Sequence, residues 1–179
     1  LVYTPTGETI TAQRESQAKK GKPAFRYVVD AGNRVLAVPS RQVEVAIYPA
    51  PDRVFVPGSF NQNLKQQEKL VAQDAANLKQ RLGLEGVSEI IPSEASTLTD
   101  ITFQHLDATG KWLFGQEYAA VQGLSYVYGR TKNPTNSAGS RVADVGNADP
   151  GDGVSVDGWS RDFGYHDVGA VRMVVPIET

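Results

Sequence analysis

Between Asn133 and Ile177 the chain runs for 45 residues without a single Lys, Glu or Gln. The other 134 residues hold 8 Lys, 9 Glu and 11 Gln, a density that would place about nine in a stretch this long. Those three residue types are strong helix formers. In their place stand six Asp, three Arg and many Gly, Ser and Asn, the chemistry of turns. Apolar residues still recur, at Val142, Val145, Val154, Val156, Val168, Val171 and Val174. The last quarter is therefore expected to fold as short strands joined by many turns.

The rest of the chain carries helices and further strands. Leu64, Val71, Ala75, Leu78 and Leu82 recur at helical spacing within 62–83, with charged residues between them and Gly83 as a left-handed cap. A second helix is expected over 96–109, where Leu98, Ile101, His105 and Leu106 share a face and Gly110 follows. Phe25 to Val29 and Arg34 to Val38 flank the turn residues Asp30-Ala31-Gly32-Asn33, which predicts a hairpin. Val43, Val45 and Ile47 alternate with polar residues in a half-buried strand that ends at Pro49. Residues 53–56 and 124–128 are two more short strands. Residues 1–23 are polar and close on Lys19-Lys20-Gly21-Lys22-Pro23, so a loosely packed N-terminal arm is expected before a single α+β domain over 24–179.

Composition removes several classes of function. The chain has no Cys, which excludes disulfides and thiol chemistry, and only two His. The net charge is -2, without the basic excess of a dedicated nucleic-acid binder. No apolar run approaches the length of a membrane span. Phosphate-binding loops, dinucleotide fingerprints, nucleophile elbows and zinc-protease motifs are absent from the sequence. His105 sits on an apolar stripe and reads as a core histidine. His166 with Asp162 or Asp167 and Ser160 is the nearest approach to a catalytic group, but closeness in sequence is not triad geometry. Asp149, Asp152 and Asp157 offer hard oxygen ligands without the spacing of a calcium loop. No enzyme, metal or cofactor is expected.

The Lys/Glu/Gln gap has a second explanation besides turn chemistry. Codons that end in a pyrimidine cannot encode Lys, Glu, Gln, Met or Trp. Apart from Trp159 and Met173, every residue from Asn133 to Ile177 lies within the set they can encode. Adenine-directed mutagenesis of Asn-type codons leaves that pattern. Gly158-Trp159-Ser160-Arg161, followed by Gly169-Ala170-Val171-Arg172-Met173-Val174-Val175-Pro176, resembles the closing segment of C-type-lectin-like variable proteins of diversity-generating retroelements. The resemblance covers roughly 124–177. It implies a mixed fold with two helices and short antiparallel strands, and a binding region over about 133–177 that displays diversified side chains. This chain lacks the cysteines and the Glu-Pro-Asn or Gln-Pro-Asp calcium motif of sugar-binding C-type lectins, and the cysteines of formylglycine-generating enzymes. The resemblance thus implies a binding scaffold, not a calcium-dependent lectin or an oxidase.

The expected binding face comprises Asp144, Asn147, Asp149, Asp152, Ser155, Asp157, Ser160, Arg161, Asp162, Phe163, Tyr165, His166 and Asp167. These are short polar or aromatic residues of the kind that dominate antibody paratopes. Between Val154 and Val156, Ser155 is expected to point away from the core. The expected function is non-catalytic recognition of a protein or cell-surface ligand, with no nucleic acid among its partners. The alternative is a structural subunit of a phage or surface assembly.

Overall fold

The computed structural model describes residues 1–177. In chain order its elements are β1 (Val2–Tyr3), α1 (Ile10–Lys19), β2 (Phe25–Val28), a 3-10 turn (Gly32–Arg34), β3 (Val45–Ile47), α2 (Leu64–Leu82), β4 (Val87–Glu89), α3 (Ala95–Thr109), α4 (Gln116–Val121), β5 (Tyr128–Pro134), β6 (Arg141–Asp149), β7 (Gly153–Ser160), β8 (Val168–Gly169) and β9 (Met173–Pro176). The fold is α+β. It has four helices among the described residues rather than the expected two, because α1 and α4 also form.

Local chemistry sets the two long helices. Asn63 caps α2 by accepting from the Gln66 amide at 2.9 Å, and the Gln66 side chain accepts from the Asn63 amide in return. Gly83 (φ +61°) and Gly110 (φ +72°) close α2 and α3 in the left-handed conformation, as their sequence positions predict. Leu64 and Val71 are buried, but Leu82, at the far end of the same stripe, is exposed. His105 of α3 is buried and its Nδ1 lies 2.7 Å from the Tyr3 hydroxyl. Burial, with Lys111 nearby, pushes its pKa down and keeps the ring neutral.

One sheet has the order β1-β3-β9-β4 and is wholly antiparallel. The other has the order β2-β7-β6-β5-β8. There β6 runs antiparallel to β5 and β7, while β2 is parallel to β7 and β8 parallel to β5. One face of this second sheet carries Ala143, Val145, Val154 and Val156 into the main core with Leu98 and Ile101 of α3. Its opposite face contributes Val142 to a smaller core with Leu64 and Val71 of α2, Val56, Ile91 and Ala170. The sheet therefore lies between two helical layers.

Two expectations are corrected. Phe25–Val28 does not fold back on 34–38, which carries no strand. It reaches across the chain to β7, with Tyr27 opposite Ser155 and Val28 opposite Val156. A local turn signal had to compete with a distant parallel partner. The N-terminal arm is not loose. Thr9 caps α1 by accepting from the Ala12 amide at 3.1 Å. Gln13 is buried against α3, donating to the Ser96 carbonyl at 2.9 Å and accepting from the Thr99 hydroxyl at 2.6 Å. Lys20 and Lys22 of the lysine cluster pair with the same carboxylate, Asp107.

A candidate recognition face

Strand register places the chemistry. Arg130 on β5, Asp144 on β6 and Asp157 on β7 lie opposite one another in one row across the sheet. The neighbouring rows on the same face hold Tyr128, Gly146 and Ser155 on one side and Val142 and Trp159 on the other. This is the face on which α2 rests, so it is not open to solvent along its length. Ser155 is buried because β7 is covered on both faces, not on one as its valine alternation predicts.

Arg130 is fully buried and organises what covers it. Its Nε donates to Gln67 Oε1 at 3.0 Å. Nη1 donates to the Ser160 carbonyl at 3.2 Å, and Nη2 to the carbonyls of Phe163 and Gln62 at 3.3 and 3.4 Å. The guanidinium lies 5.7 Å from the centre of the Tyr165 ring. Gln67 in turn donates to the carbonyls of Ser59 and Val168. The loop from Ser160 to Asp167 is thereby tied down from beneath.

The same loop is stitched along its edge. The Leu64 amide donates to the Arg161 carbonyl at 2.9 Å and the Asn61 amide to the Tyr165 carbonyl at 2.9 Å. The Tyr165 hydroxyl accepts from the Ser160 amide at 3.3 Å. At Gly164 the two segments approach so closely that a Cβ would run into the Asn61 carbonyl oxygen. With its backbone held this way, the loop turns Arg161, Asp162, Phe163 and His166 outward, Phe163 with 66% of its surface exposed.

Beside the loop runs a chain of rings. Tyr126 and Tyr128 have centroids 6.0 Å apart at 78°, Tyr128 and Trp159 4.9 Å at 68°, and Trp159 and Tyr165 5.2 Å at 34°. Tyr128 is buried, Tyr126 exposed, and Trp159 and Tyr165 half-buried. Burial pushes the Tyr128 hydroxyl pKa up, and neighbouring Asp157 and Asp167 push it further. Burial likewise raises Asp144 well above the usual carboxylate range; Arg130 opposes the shift while Asp157 and Asp167 add to it. Asp167 is raised by burial too, its own backbone amide and His166 opposing.

The expected face divides into three groups. Asp152, Arg161, Asp162, Phe163 and His166 are exposed, and Asn147, Asp149, Asp157, Ser160 and Tyr165 are half-buried. Asp144, Ser155 and Asp167 are buried and do not face solvent, which corrects the expectation for these three. Asp149 and Asp152 lie apart from the rest. Asp149 Oδ1 accepts from the amides of Gly151 and Asp152 at 2.8 and 3.2 Å and so shapes the β6–β7 turn. That turn and the 160–167 loop sit at opposite ends of β7, about 20 Å apart at the rise of an extended strand. Among the described residues no group of three His, Asp or Glu is placed to hold a metal ion. Nor does a hydrogen bond join His166 to Ser160 or Asp162 there; the Ser160 hydroxyl accepts from the Asp162 amide at 3.2 Å.

Arg130, Gln67, Tyr126, Tyr128 and Trp159 were not among the expected site residues. The close succession of Trp112, Phe114, Tyr118, Tyr126 and Tyr128 in the sequence reads as core, which holds for Tyr128 but not for Tyr126. A signal for Arg130 was present: a charged residue two places after Tyr128 in a strand is on the same face as that ring.

Comparison with known protein families, with characterised proteins and with solved structures finds no match for this chain.

Proposed function

We propose that this chain is a non-catalytic recognition protein whose C-terminal region presents a binding face to a protein or cell-surface target. The observation that carries the reading is the 160–167 loop. Its backbone is fixed by Arg130, Asn61 and Leu64, while four side chains of diverse chemistry project from it. A preformed loop with free side chains binds without first losing its own conformational freedom. The Lys/Glu/Gln gap and the closing Trp-turn and Arg-strand pattern support placing the chain with the C-type-lectin-like variable proteins of diversity-generating retroelements.

Two measurements test this. Sequencing the 3′ end of the gene across its source population should find substitutions concentrated at the codons of Arg161, Asp162, Phe163 and His166, and few at the buried Asp144, Ser155 and Asp167. Uniformity across the whole 3′ end would remove the diversification argument. Capture of a target by the intact chain should be lost when Arg161, Phe163 and His166 are changed together to Ala. Equal capture would count against this face.

The assembly-subunit reading keeps one observation of its own. Leu82, Leu84 and Ile177 are exposed, and the Ile177 amide bonds the Gly86 carbonyl, so all three gather about the turn after α2. Sedimentation over a range of concentrations decides it; a monomer throughout would argue against assembly through that patch.

A further inference from the structure

A groove of about 400 Å³ runs between α2 and β4. One wall is a flank of α2 with short side chains, Ala72, Ala75 and Ala76, followed by Lys79. Ala72, Ala76 and Lys79 are exposed. The other wall is β4, continued by Ile90 and Ile91. β4 ends its sheet and pairs with β9 alone. The Gly86 carbonyl accepts from the Ile177 amide, and the Ile90 amide donates to the Met173 carbonyl. Gly86, Ser88 and Ile90 therefore turn their backbone groups toward β9, and Val87 and Glu89 turn theirs to the free edge. Among the described residues no backbone group meets the Val87 or Glu89 amide. The Glu89 carboxyl also lines the groove, and neither of its buried oxygens has a hydrogen-bond partner. At one end Lys132 pairs with Glu68 at 3.8 Å, and its amide closes the groove by donating to the Pro92 carbonyl at 2.8 Å. At the other end Lys79 has no carboxylate within ion-pair distance among the described residues.

From these observations we infer that the groove takes an extended segment of a protein partner, which joins β4 as a further strand and brings an acidic side chain to Lys79. This surface is separate from the 160–167 loop and does not depend on the recognition reading. Unpaired amides in strand register are met by another extended chain, whose main chain supplies affinity while pockets for alternate side chains supply selectivity. The alanine flank leaves room for those side chains. Glu68 and Lys132 offset each other, and burial keeps Glu89 neutral up to about pH 8, so Lys79 is the uncompensated charge of the groove. A second copy of the chain fits less well. It would bring its own α2 along with the same edge, and a helix is about 10 Å across with its side chains. A single added strand needs only about 4.8 Å from its neighbour.

The test is selection of a phage-displayed library of random heptapeptides on the full chain, followed by titration with the most enriched peptide made synthetically. That peptide is expected to alternate small apolar with acidic residues and to slow hydrogen exchange at the Val87 and Glu89 amides. Val87→Pro removes an amide that β9 does not use and should weaken binding about tenfold. Ala76→Glu, at an exposed helical position, fills the groove with a like charge and should weaken it at least as much. Lys79→Glu should turn the selection toward basic peptides. Unfolding midpoints show whether the variants fold, and Ala76→Glu carries the test if Val87→Pro does not. Failure of the library to yield a binder would overturn the inference, as would a binder indifferent to Ala76→Glu. Self-association of the chain that Ala76→Glu abolishes would overturn it too, since the occupant would then be a second copy.

Discussion

Arg130 and Asp144 oppose each other across β5 and β6 with Nε and Oδ1 3.6 Å apart and both side chains fully buried, yet no hydrogen bond joins them. The arginine bonds instead to Gln67 and to carbonyls of the covering loops. Both Asp144 oxygens are left without partners. The pair is therefore unequal. The arginine is structural, and the aspartate is a buried acid whose charged form the site disfavours.

That inequality sets the first prediction. Arg130→Met leaves three carbonyls and Gln67 Oε1 without a donor and is expected to cost about 3–5 kcal/mol in urea unfolding. Asp144→Asn keeps the shape and removes only a poorly satisfied acid, so a cost of about 1 kcal/mol or less is expected. Equal losses would show that the ion pair, not the carbonyl bonds, holds the loop.

Glu89 gives the second. It is buried on β4 with neither carboxylate oxygen hydrogen-bonded. Nearby Arg172 is engaged by Asp74, at 2.6 and 3.0 Å. Burial, with Asp74 adding to it, pushes the Glu89 pKa up to about 8 from 4.5. The folded pKa lies above the unfolded one, so the folded chain binds the extra proton. Its contribution to stability is complete below pH 4.5 and is lost as pH rises through about 8. Glu89→Gln mimics the protonated acid permanently. Thermal unfolding should show little change at pH 5 and a gain on the order of 2 kcal/mol at pH 9. The same gain at both pH values would contradict the assignment.

Phe163 and Tyr165 separate display from support. Phe163→Ala should change stability by about 0.5 kcal/mol or less, since the ring is mostly in water. Tyr165→Ala removes the ring beneath Arg130, the contact with Trp159 and the acceptor for the Ser160 amide. A loss of about 2–3 kcal/mol is expected. Denaturant midpoints of the two variants decide it, and a Phe163 variant as unstable as the Tyr165 one would mean that the loop is held by its outer side chains.

The N-terminal helix supplies the last. Gln13→Ala removes two buried hydrogen bonds to α3, the one Gln13 donates to the Ser96 carbonyl and the one it accepts from the Thr99 hydroxyl, although the Thr99 hydroxyl keeps its bond to the Ser96 carbonyl at 3.1 Å. The expected cost is about 1–2 kcal/mol. No change in the unfolding midpoint would return residues 1–23 to the status of a loose arm.

What the sequence disclosed was local. The α2 stripe, its Gly83 cap and the Gly110 cap of α3 each depend on residues a few places apart, and they stand where spacing puts them. Pairings between distant segments were not legible. Nothing within Phe25–Val28 names β7 as its parallel neighbour, and nothing within Ile10–Lys19 tells that Gln13 and Gln17 turn inward. For the face, the exposed Arg161, Asp162, Phe163 and His166 followed from composition. Ser155 did not, because alternation assigns a residue to one side of a sheet without saying whether a helix lies there. Asp144 and Asp167 were misplaced for the same reason: side-chain polarity cannot reveal a covering layer contributed by residues a hundred places away.

The bonds from Arg130 to the covering loop end on the oxygens of Ser160 and Phe163, and Leu64 donates to that of Arg161. A carbonyl oxygen is common to all twenty amino acids. The grip is thus blind to spelling: positions 161, 162 and 163 can be rewritten without any of these hydrogen bonds losing its acceptor, and a change of vocabulary there alters what the surface says while leaving the page it is written on intact.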